Sequence, residues 1–92
     1  MNAADKTVIH FYRKTGCHLC DAMARALDAF MRELDSRDEY AIIERDIEDD
    51  QSWYQRYREY VPTLVVGERE VCYYFFDSDE LKHALREESC KQ

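Results

Sequence analysis

Two cysteines separated by two residues, Cys17 and Cys20, are the side chains of this sequence best suited to chemistry. The thiolate form of cysteine is a nucleophile and a metal ligand, and two nearby cysteines can exchange a disulfide with a substrate. Gly16 directly precedes the pair and can turn the chain without steric cost. The spacing therefore indicates either a redox site or part of a metal site.

The elements on either side of this pair determine which chemistry is accessible. Residues 7–12 are rich in β-branched and aromatic side chains, which predicts a strand. Residues 18–35 predict an amphipathic helix, because apolar side chains recur at steps of three and four residues. Cys17 is then expected at the helix N-terminus, where free N–H groups and the helix dipole favour a thiolate. Cys20 follows one turn later on the same face, within reach of a mixed disulfide at Cys17.

The middle of the chain predicts a second strand and a second helix. Residues 40–46 predict a strand that runs parallel to the first, because a helix connects the two. Acidic residues 48–50 supply an N-cap and first turn for a helix to about Tyr60, which Val61-Pro62 then ends. Three aromatic side chains in helical register are expected to pack against the sheet. They are Trp53, Tyr57 and Tyr60.

The last third predicts a β-hairpin and a final helix. Strands over residues 63–66 and 69–76 are joined by Gly67-Glu68, where glycine in first position suits a type II′ turn. The consecutive aromatic residues 73–76 predict a strand covered on both faces. Asp77 or Ser78 caps a helix whose buried stripe is Leu81, Ala84 and Leu85, and residues 87–92 are expected to form a polar tail. The predicted order is βαβαββα.

Length and charge restrict the functional classes. The 92 residues are expected to form one domain, residues 1–92, and we expect a monomer. The formal net charge of −7 argues against nucleic-acid binding, which requires phosphate neutralisation. No apolar run reaches the length of a membrane helix, and the first residues lack a secretory signal, so a cytoplasmic location is expected. Four cysteines could instead form a secreted disulfide framework, but their density is low for that class.

The order of elements, with Cys-x-x-Cys opening the first helix and Val61-Pro62 before the third strand, resembles the thioredoxin fold. The short chain and the sequences of residues 16–21, 46–50 and 61–64 most resemble a small bacterial-type glutaredoxin-like family. The resemblance spans about residues 7–86. It implies an α/β, three-layer, thioredoxin-like fold in which helices flank a four-stranded mixed sheet.

The same resemblance implies a dithiol thiol–disulfide oxidoreductase. Cys17 would be the attacking thiolate and Cys20 the resolving thiol. Pro62 would be a cis-proline that faces the cysteines, and the backbone of Val61 would pair with the substrate. The substrate would be a disulfide-bearing protein or a glutathione mixed disulfide. No bound cofactor is implied, and glutathione is a candidate co-substrate.

This chain departs from the patterns of thioredoxins and glutaredoxins at three places around the predicted site. Residue 15 is a threonine, so the tryptophan that thioredoxins carry shortly before the first cysteine is absent. The residues between the cysteines are His18-Leu19, where ordinary glutaredoxins have Pro-Tyr. Phe76-Asp77 stands where glutathione-binding members have a pair of glycines before an acidic residue.

Other residues near the predicted site have two interpretations each. His18 either favours the Cys17 thiolate when protonated or is a solvent-facing side chain. Arg13 and Lys14 either attract an anionic substrate or are unpartnered surface charges. The remaining candidates receive structural interpretations: His10 as a satisfied half-buried residue, Cys72 as a small hydrophobe, Cys90 as an exposed thiol and Asp46 as a cap.

Two further functions compete with the redox hypothesis. A zinc or iron–sulfur module would use Cys17 and Cys20, but a structural zinc site needs four ligands. A dimer that contributes one cysteine pair per chain would supply them. The second alternative is a thioredoxin-like interaction domain whose cysteines are not catalytic.

Overall fold

A computed structural model of the protein describes residues 6–90, and the side chains of residues 6–88. Its elements are β1 (Thr7–Arg13), α1 (His18–Arg32), β2 (Tyr40–Asp46), α2 (Gln51–Tyr57), β3 (Thr63–Val66), β4 (Arg69–Tyr73) and α3 (Ser78–Cys90). Short 3-10 turns, Arg37–Glu39 and Ile47–Asp49, precede β2 and α2. The predicted order βαβαββα is confirmed.

The four strands form one mixed sheet in the order β2-β1-β3-β4. β1 is parallel to β2, as the sequence predicted, and antiparallel to β3, which pairs antiparallel with β4. Gly67 in the β3–β4 turn has a φ of +63°, whereas Glu68 has no positive φ, as a type II′ turn requires. β2 lies at one edge, where Ile42 and Ile43 are exposed.

Alternating side chains on the central strands bury two separate clusters, one on each face of the sheet. Ile9 and Phe11 of β1 face α1 and α3, whereas Tyr12 faces α2. The larger cluster is completed by Leu64, Val66 and Val71 from the sheet and by Met23, Leu27, Leu81, Ala84 and Leu85 from the two helices. The smaller cluster contains Ile47, Tyr57 and Val65. The predicted three-layer arrangement is therefore confirmed, and it is thioredoxin-like.

Both of the first two helices end earlier than the sequence predicted. α1 ends at Arg32 because the N–H groups of Glu33 and Leu34 bond three residues back, which tightens the last turn. α2 ends at Tyr57, and the N–H of Tyr60 donates to the Tyr57 carbonyl at 2.8 Å in a similar turn. The predicted core position of Tyr60 is wrong, since 49% of this residue is exposed. Tyr57 is buried and Trp53 half-buried, as predicted.

The second hairpin strand is also shorter than predicted. β4 ends at Tyr73 because Tyr74 adopts a left-handed conformation with a φ of +67°, which no strand can continue through. Tyr73 and Phe75 are exposed, so the prediction of a strand covered on both faces is wrong. Residues 87–90, predicted as the start of a polar tail, belong to α3.

Within residues 6–90, no helix combines the length and the apolar content needed to cross a membrane.

Candidate active site

Cys17 is the N-cap of α1, as the sequence predicted. Its backbone is extended, with φ −103° and ψ 113°, and the preceding Gly16 supplies the turn with a φ of +77°. The Cys17 Sγ is half-buried and accepts a hydrogen bond from the Cys20 N–H at 3.1 Å. The Cys17 sulfur therefore lies at a helix N-terminus and faces a direct N–H donor, two features that stabilise negative charge.

Cys20 lies behind Cys17 and is buried. Burial, followed by a hydrogen bond with the Cys17 side chain, raises the pKa of the Cys20 thiol to about 12. The Lys14 backbone N–H and the Arg13 guanidinium act in the opposite direction on that pKa. Both cysteines are free thiols, so the pair is in the dithiol state. Cys20 therefore holds its proton at neutral pH.

Pro62 lies at the same end of the sheet as Cys17. β3 runs antiparallel to β1 and pairs Thr63 with Tyr12, so the residue before Thr63 adjoins the carboxyl end of β1. The Val61–Pro62 peptide bond is cis, which confirms the geometry that the resemblance implied. Pro62 is buried, and Val61 packs against the smaller core cluster. The substrate-binding roles of both residues stay predictions.

Asp46 at the end of β2 anchors the loop between β1 and Cys17. The Thr15 hydroxyl donates to Asp46 Oδ2 at 3.0 Å, which ties the loop to the end of β2. Asp46 Oδ1 accepts the Glu48 N–H at 2.9 Å, so the predicted capping role of Asp46 is confirmed. The role of Thr15 had no signal in the sequence, because its partner is 31 residues away.

Arg13 connects three elements next to the cysteine pair. Its guanidinium contacts Asp21 in the first turn of α1 at 2.7 Å and Glu44 of β2 at 3.1 Å. It also lies over the Phe11 ring, 5.3 Å from the centroid. The interpretation of Arg13 as an unpartnered surface charge is therefore wrong. Lys14 is exposed.

The family known as Glutaredoxin-like domain (DUF836) matches residues 8–86. The chain belongs to this glutaredoxin-like family. The match covers the sheet, the cysteine pair, Val61-Pro62 and most of α3, so the resemblance that the sequence motifs indicated is confirmed.

Solved structures place the glutaredoxin-like domain among thioredoxin folds. Protein Ne2328 from Nitrosomonas europaea is 25% identical with a TM-score of 0.70, over 90% of this chain and 95% of that chain. Protein XcR50 from X. campestris is 30% identical with a TM-score of 0.63, over 86% and 96%. Chloroplastic thioredoxin z, at 19% identity, shares the fold with a TM-score of 0.69, over 94% and 80%. The comparison with curated proteins found no match.

His10 and Cys72, two other candidate residues of the glutaredoxin-like domain, have the structural roles that the sequence predicted. His10 Nδ1 accepts a hydrogen bond from Arg45 Nε at 3.2 Å, and burial followed by the Arg45 charge lowers the His10 pKa. The prediction of a satisfied half-buried His10 is confirmed. Cys72 packs half-buried against the larger core cluster, and burial raises the pKa of its thiol. His18 is exposed, and the Cys90 side chain lies outside the described residues.

A metal site at the cysteine pair would need further ligands from neighbouring side chains. Among the side chains of residues 6–88, no three or more histidine, cysteine or carboxylate groups are placed to hold a metal ion. Within the described part of one chain, Cys17 and Cys20 therefore have no third ligand. A metal site would have to draw on groups outside these residues.

Proposed function

We propose that this glutaredoxin-like domain is a dithiol thiol–disulfide oxidoreductase. The observation that carries the proposal is the pairing of a half-buried Cys17 Sγ, which accepts the Cys20 N–H at 3.1 Å, with a buried Cys20 thiol one turn behind it. This arrangement gives the pair one nucleophile and one protected thiol. The family membership and the thioredoxin-like fold support the same chemistry.

The reaction would run in two exchanges. The Cys17 thiolate attacks one sulfur of the substrate disulfide, forms a mixed disulfide and releases the other sulfur as a thiolate. Cys20 then attacks Cys17 Sγ, releases the second substrate sulfur and gives up its proton to a released thiolate. The substrate gains two electrons, and the protein is left with a Cys17–Cys20 disulfide. A thiol reductant, either glutathione or a reductase protein, returns the pair to the dithiol.

Several finer features belong to the same proposal. The Val61 backbone and Pro62 would align the substrate, because both adjoin the end of β1 that leads to Cys17. The substrates would be disulfide-bearing proteins or glutathione mixed disulfides, with no resident cofactor. We propose that the protein acts as a monomer in the cytoplasm, where a reducing environment keeps such a pair as thiols.

The deciding experiment measures turnover of insulin disulfide and of a glutathione mixed disulfide, with dithiothreitol or glutathione as reductant. Wild-type protein is expected to accelerate both reactions above the uncatalysed rate. Cys17→Ser should abolish the acceleration, because the attacking sulfur is lost. Cys20→Ser should retain the first attack and accumulate a mixed disulfide at Cys17, visible as a mass increase equal to the substrate thiol.

Two results would contradict the proposal. One is wild-type protein that accelerates neither reaction, which would leave a non-catalytic interaction domain. The other is a Cys17→Ser variant as active as wild type. Metal analysis of freshly purified protein belongs in the same series, because metal bound in proportion to Cys17 and Cys20 would favour a metal module instead.

A further inference from the structure

Three exposed aromatic residues and one half-buried tyrosine, Tyr74, form a surface beside the candidate active site. We call Tyr60, Tyr73, Tyr74 and Phe75 the tyrosine patch. Their exposed fractions include 49% for Tyr60, 51% for Tyr73 and 70% for Phe75. The rings of Tyr60 and Tyr73 lie 5.4 Å apart, and Tyr74 is 5.0 Å from Tyr73 and 6.4 Å from Tyr60. Clustered exposed aromatic rings are typical of surfaces that bind a partner.

The tyrosine patch lies at the end of the sheet that carries Cys17. The ends of β1, β3 and β4 meet there, because Tyr12 pairs with Thr63 and Thr63 pairs with Tyr73. The Tyr74 N–H donates to the Pro62 carbonyl at 2.8 Å, so the patch is joined directly to the cis-proline. Two interstrand spacings, about 10 Å, separate Tyr73 from the end of β1.

Hydrogen bonds hold the backbone of the patch in place. Tyr74 has a φ of +67°, which is uncommon for a residue other than glycine and costs conformational energy. Its hydroxyl donates to the Glu59 carbonyl, and the Phe75 N–H donates to the Tyr73 carbonyl at 2.7 Å. These bonds connect the segment before Pro62 to the segment after β4. A backbone that is already fixed lowers the entropy that is lost when a partner binds.

We infer that the tyrosine patch binds the polypeptide segment that carries the target disulfide, which makes proteins rather than glutathione the preferred substrates. This inference rests on the proposed oxidoreductase function. An extended chain advances about 3.3 Å per residue, so about three residues of a bound segment span the distance between the end of β1 and Tyr73. Glutathione has only one residue on each side of its cysteine and does not span that distance.

The negative charge of the protein also favours a polypeptide over anionic ligands at the tyrosine patch. The chain has a formal net charge of −7, which opposes nucleic acids, anionic membranes and the negatively charged glutathione. Beside the patch in sequence, the Glu59 carboxylate is paired with the Arg58 guanidinium at 3.8 Å, and Asp77 adds one negative charge. The occupant that fits is a neutral or basic polypeptide with apolar side chains near its cysteine.

The test compares a protein disulfide with a small neutral one. Reduced protein is mixed with excess insulin or bis(2-hydroxyethyl) disulfide, and formation of the Cys17–Cys20 disulfide is followed by acid quench, alkylation and mass measurement. For a Tyr60→Ala/Tyr73→Thr variant, the ratio of the insulin rate constant to the small-disulfide rate constant is expected to fall about tenfold. The control Tyr54→Ala removes a tyrosine of similar type, 38% exposed, from α2. Its ratio should stay within about twofold of wild type.

Each other outcome has a defined meaning. An unchanged ratio, or an equal loss with both disulfides, would overturn the role of the patch and leave the oxidoreductase function standing. Wild-type protein that neither disulfide oxidises would overturn the proposed function, and this inference with it. A wild-type dimer in sedimentation velocity that the double variant dissociates would identify a second copy as the occupant instead. If the double variant loses its cooperative thermal transition, it does not fold, and Phe75→Ser is tested in its place. Phe75 lies outside β4, and its substitution is expected to lower the same ratio of rate constants.

Discussion

Cys17 and Cys20 are the same residue type, yet their surroundings assign them different tasks. Cys17 is half-buried at a helix N-terminus, with the Cys20 N–H directed at its sulfur. Cys20 is fully buried, and its pKa is raised to about 12, first by burial and then by the hydrogen bond with Cys17. Near neutral pH Cys20 therefore keeps its proton and is not the sulfur that attacks a disulfide first.

The different surroundings of the thiols predict the order in which they react with an alkylating agent. When reduced protein is treated with iodoacetamide at pH 7.5, Cys17 should be alkylated well before Cys20 and Cys72, whose thiol pKa values are both raised by burial. Cys20 should react faster as the pH rises toward about 12, because its thiolate fraction grows. Timed quenching followed by peptide mapping by mass spectrometry measures each site separately.

Cys17→Ser supplies the control for this order. Burial is the largest cause of the raised Cys20 pKa, and it persists in the variant, so Cys20 should still react slowly at pH 7.5. Alkylation of Cys20 as fast as Cys17 in the wild type would contradict the assigned roles.

The position of Cys17 could be predicted from sequence, whereas the residues that fix it could not. A strand, a glycine and an amphipathic helix in succession are local signals, and they place Cys17 at a helix N-terminus. The contacts of Arg13 with Glu44 and of Thr15 with Asp46 join residues 31 positions apart. Such pairs depend on the parallel register of β1 and β2, which side-chain types alone do not specify.

At the scale of elements, the turn between β1 and α1 depends on Gly16. Its φ of +77° lies in the left-handed region, and a Cβ added there would meet no atom within 4 Å. Gly16→Ala is therefore expected to lower the free energy of unfolding by about 1–2 kcal/mol through backbone strain alone. Urea unfolding followed by circular dichroism measures this loss.

A second variant separates backbone strain from other effects of a side chain at position 16. Gly16→Asn should lose less stability than Gly16→Ala, because asparagine tolerates left-handed φ better than alanine. Equal losses in the two variants, or no loss in either, would show that the turn does not need its left-handed conformation.

The element boundaries show where sequence patterns were insufficient. Aromatic residues from 73 to 76 are good strand formers, and Tyr60 continues the helical register of Trp53 and Tyr57. Neither pattern shows where its helix or strand ends, because apolar character does not distinguish a buried ring from one in an exposed cluster. The left-handed Tyr74, which ends β4, has no sequence signature comparable to glycine.

For the molecule as a whole, stability depends mainly on the larger core cluster between the sheet and the α1–α3 layer. Leu27 of α1 is 1% exposed within this cluster. Leu27→Ala is expected to lower the free energy of unfolding by about 2–5 kcal/mol, because it removes buried apolar volume and leaves a cavity. That is a large share of the roughly 5–15 kcal/mol available to a domain of this kind, and urea unfolding measures it.

Leu19 of the same helix provides the matched control, since it undergoes the same substitution at 39% exposure. Leu19→Ala should change the unfolding free energy by about 0.5 kcal/mol or less. Similar losses at both positions would show that the face of α1 assigned to the core is wrong.

The open side of β2 has a consequence for how this protein behaves at high concentration. An edge strand with unpaired backbone groups and exposed apolar residues, here Ile42 and Ile43, is a template on which further chains can extend a sheet into fibrils. The second half of the strand consists of the charged residues Glu44, Arg45 and Asp46. Charged side chains on an edge discourage such polymerisation. The charges that end β2 therefore oppose aggregation along the outer edge of β2, which no strand among residues 6–90 covers.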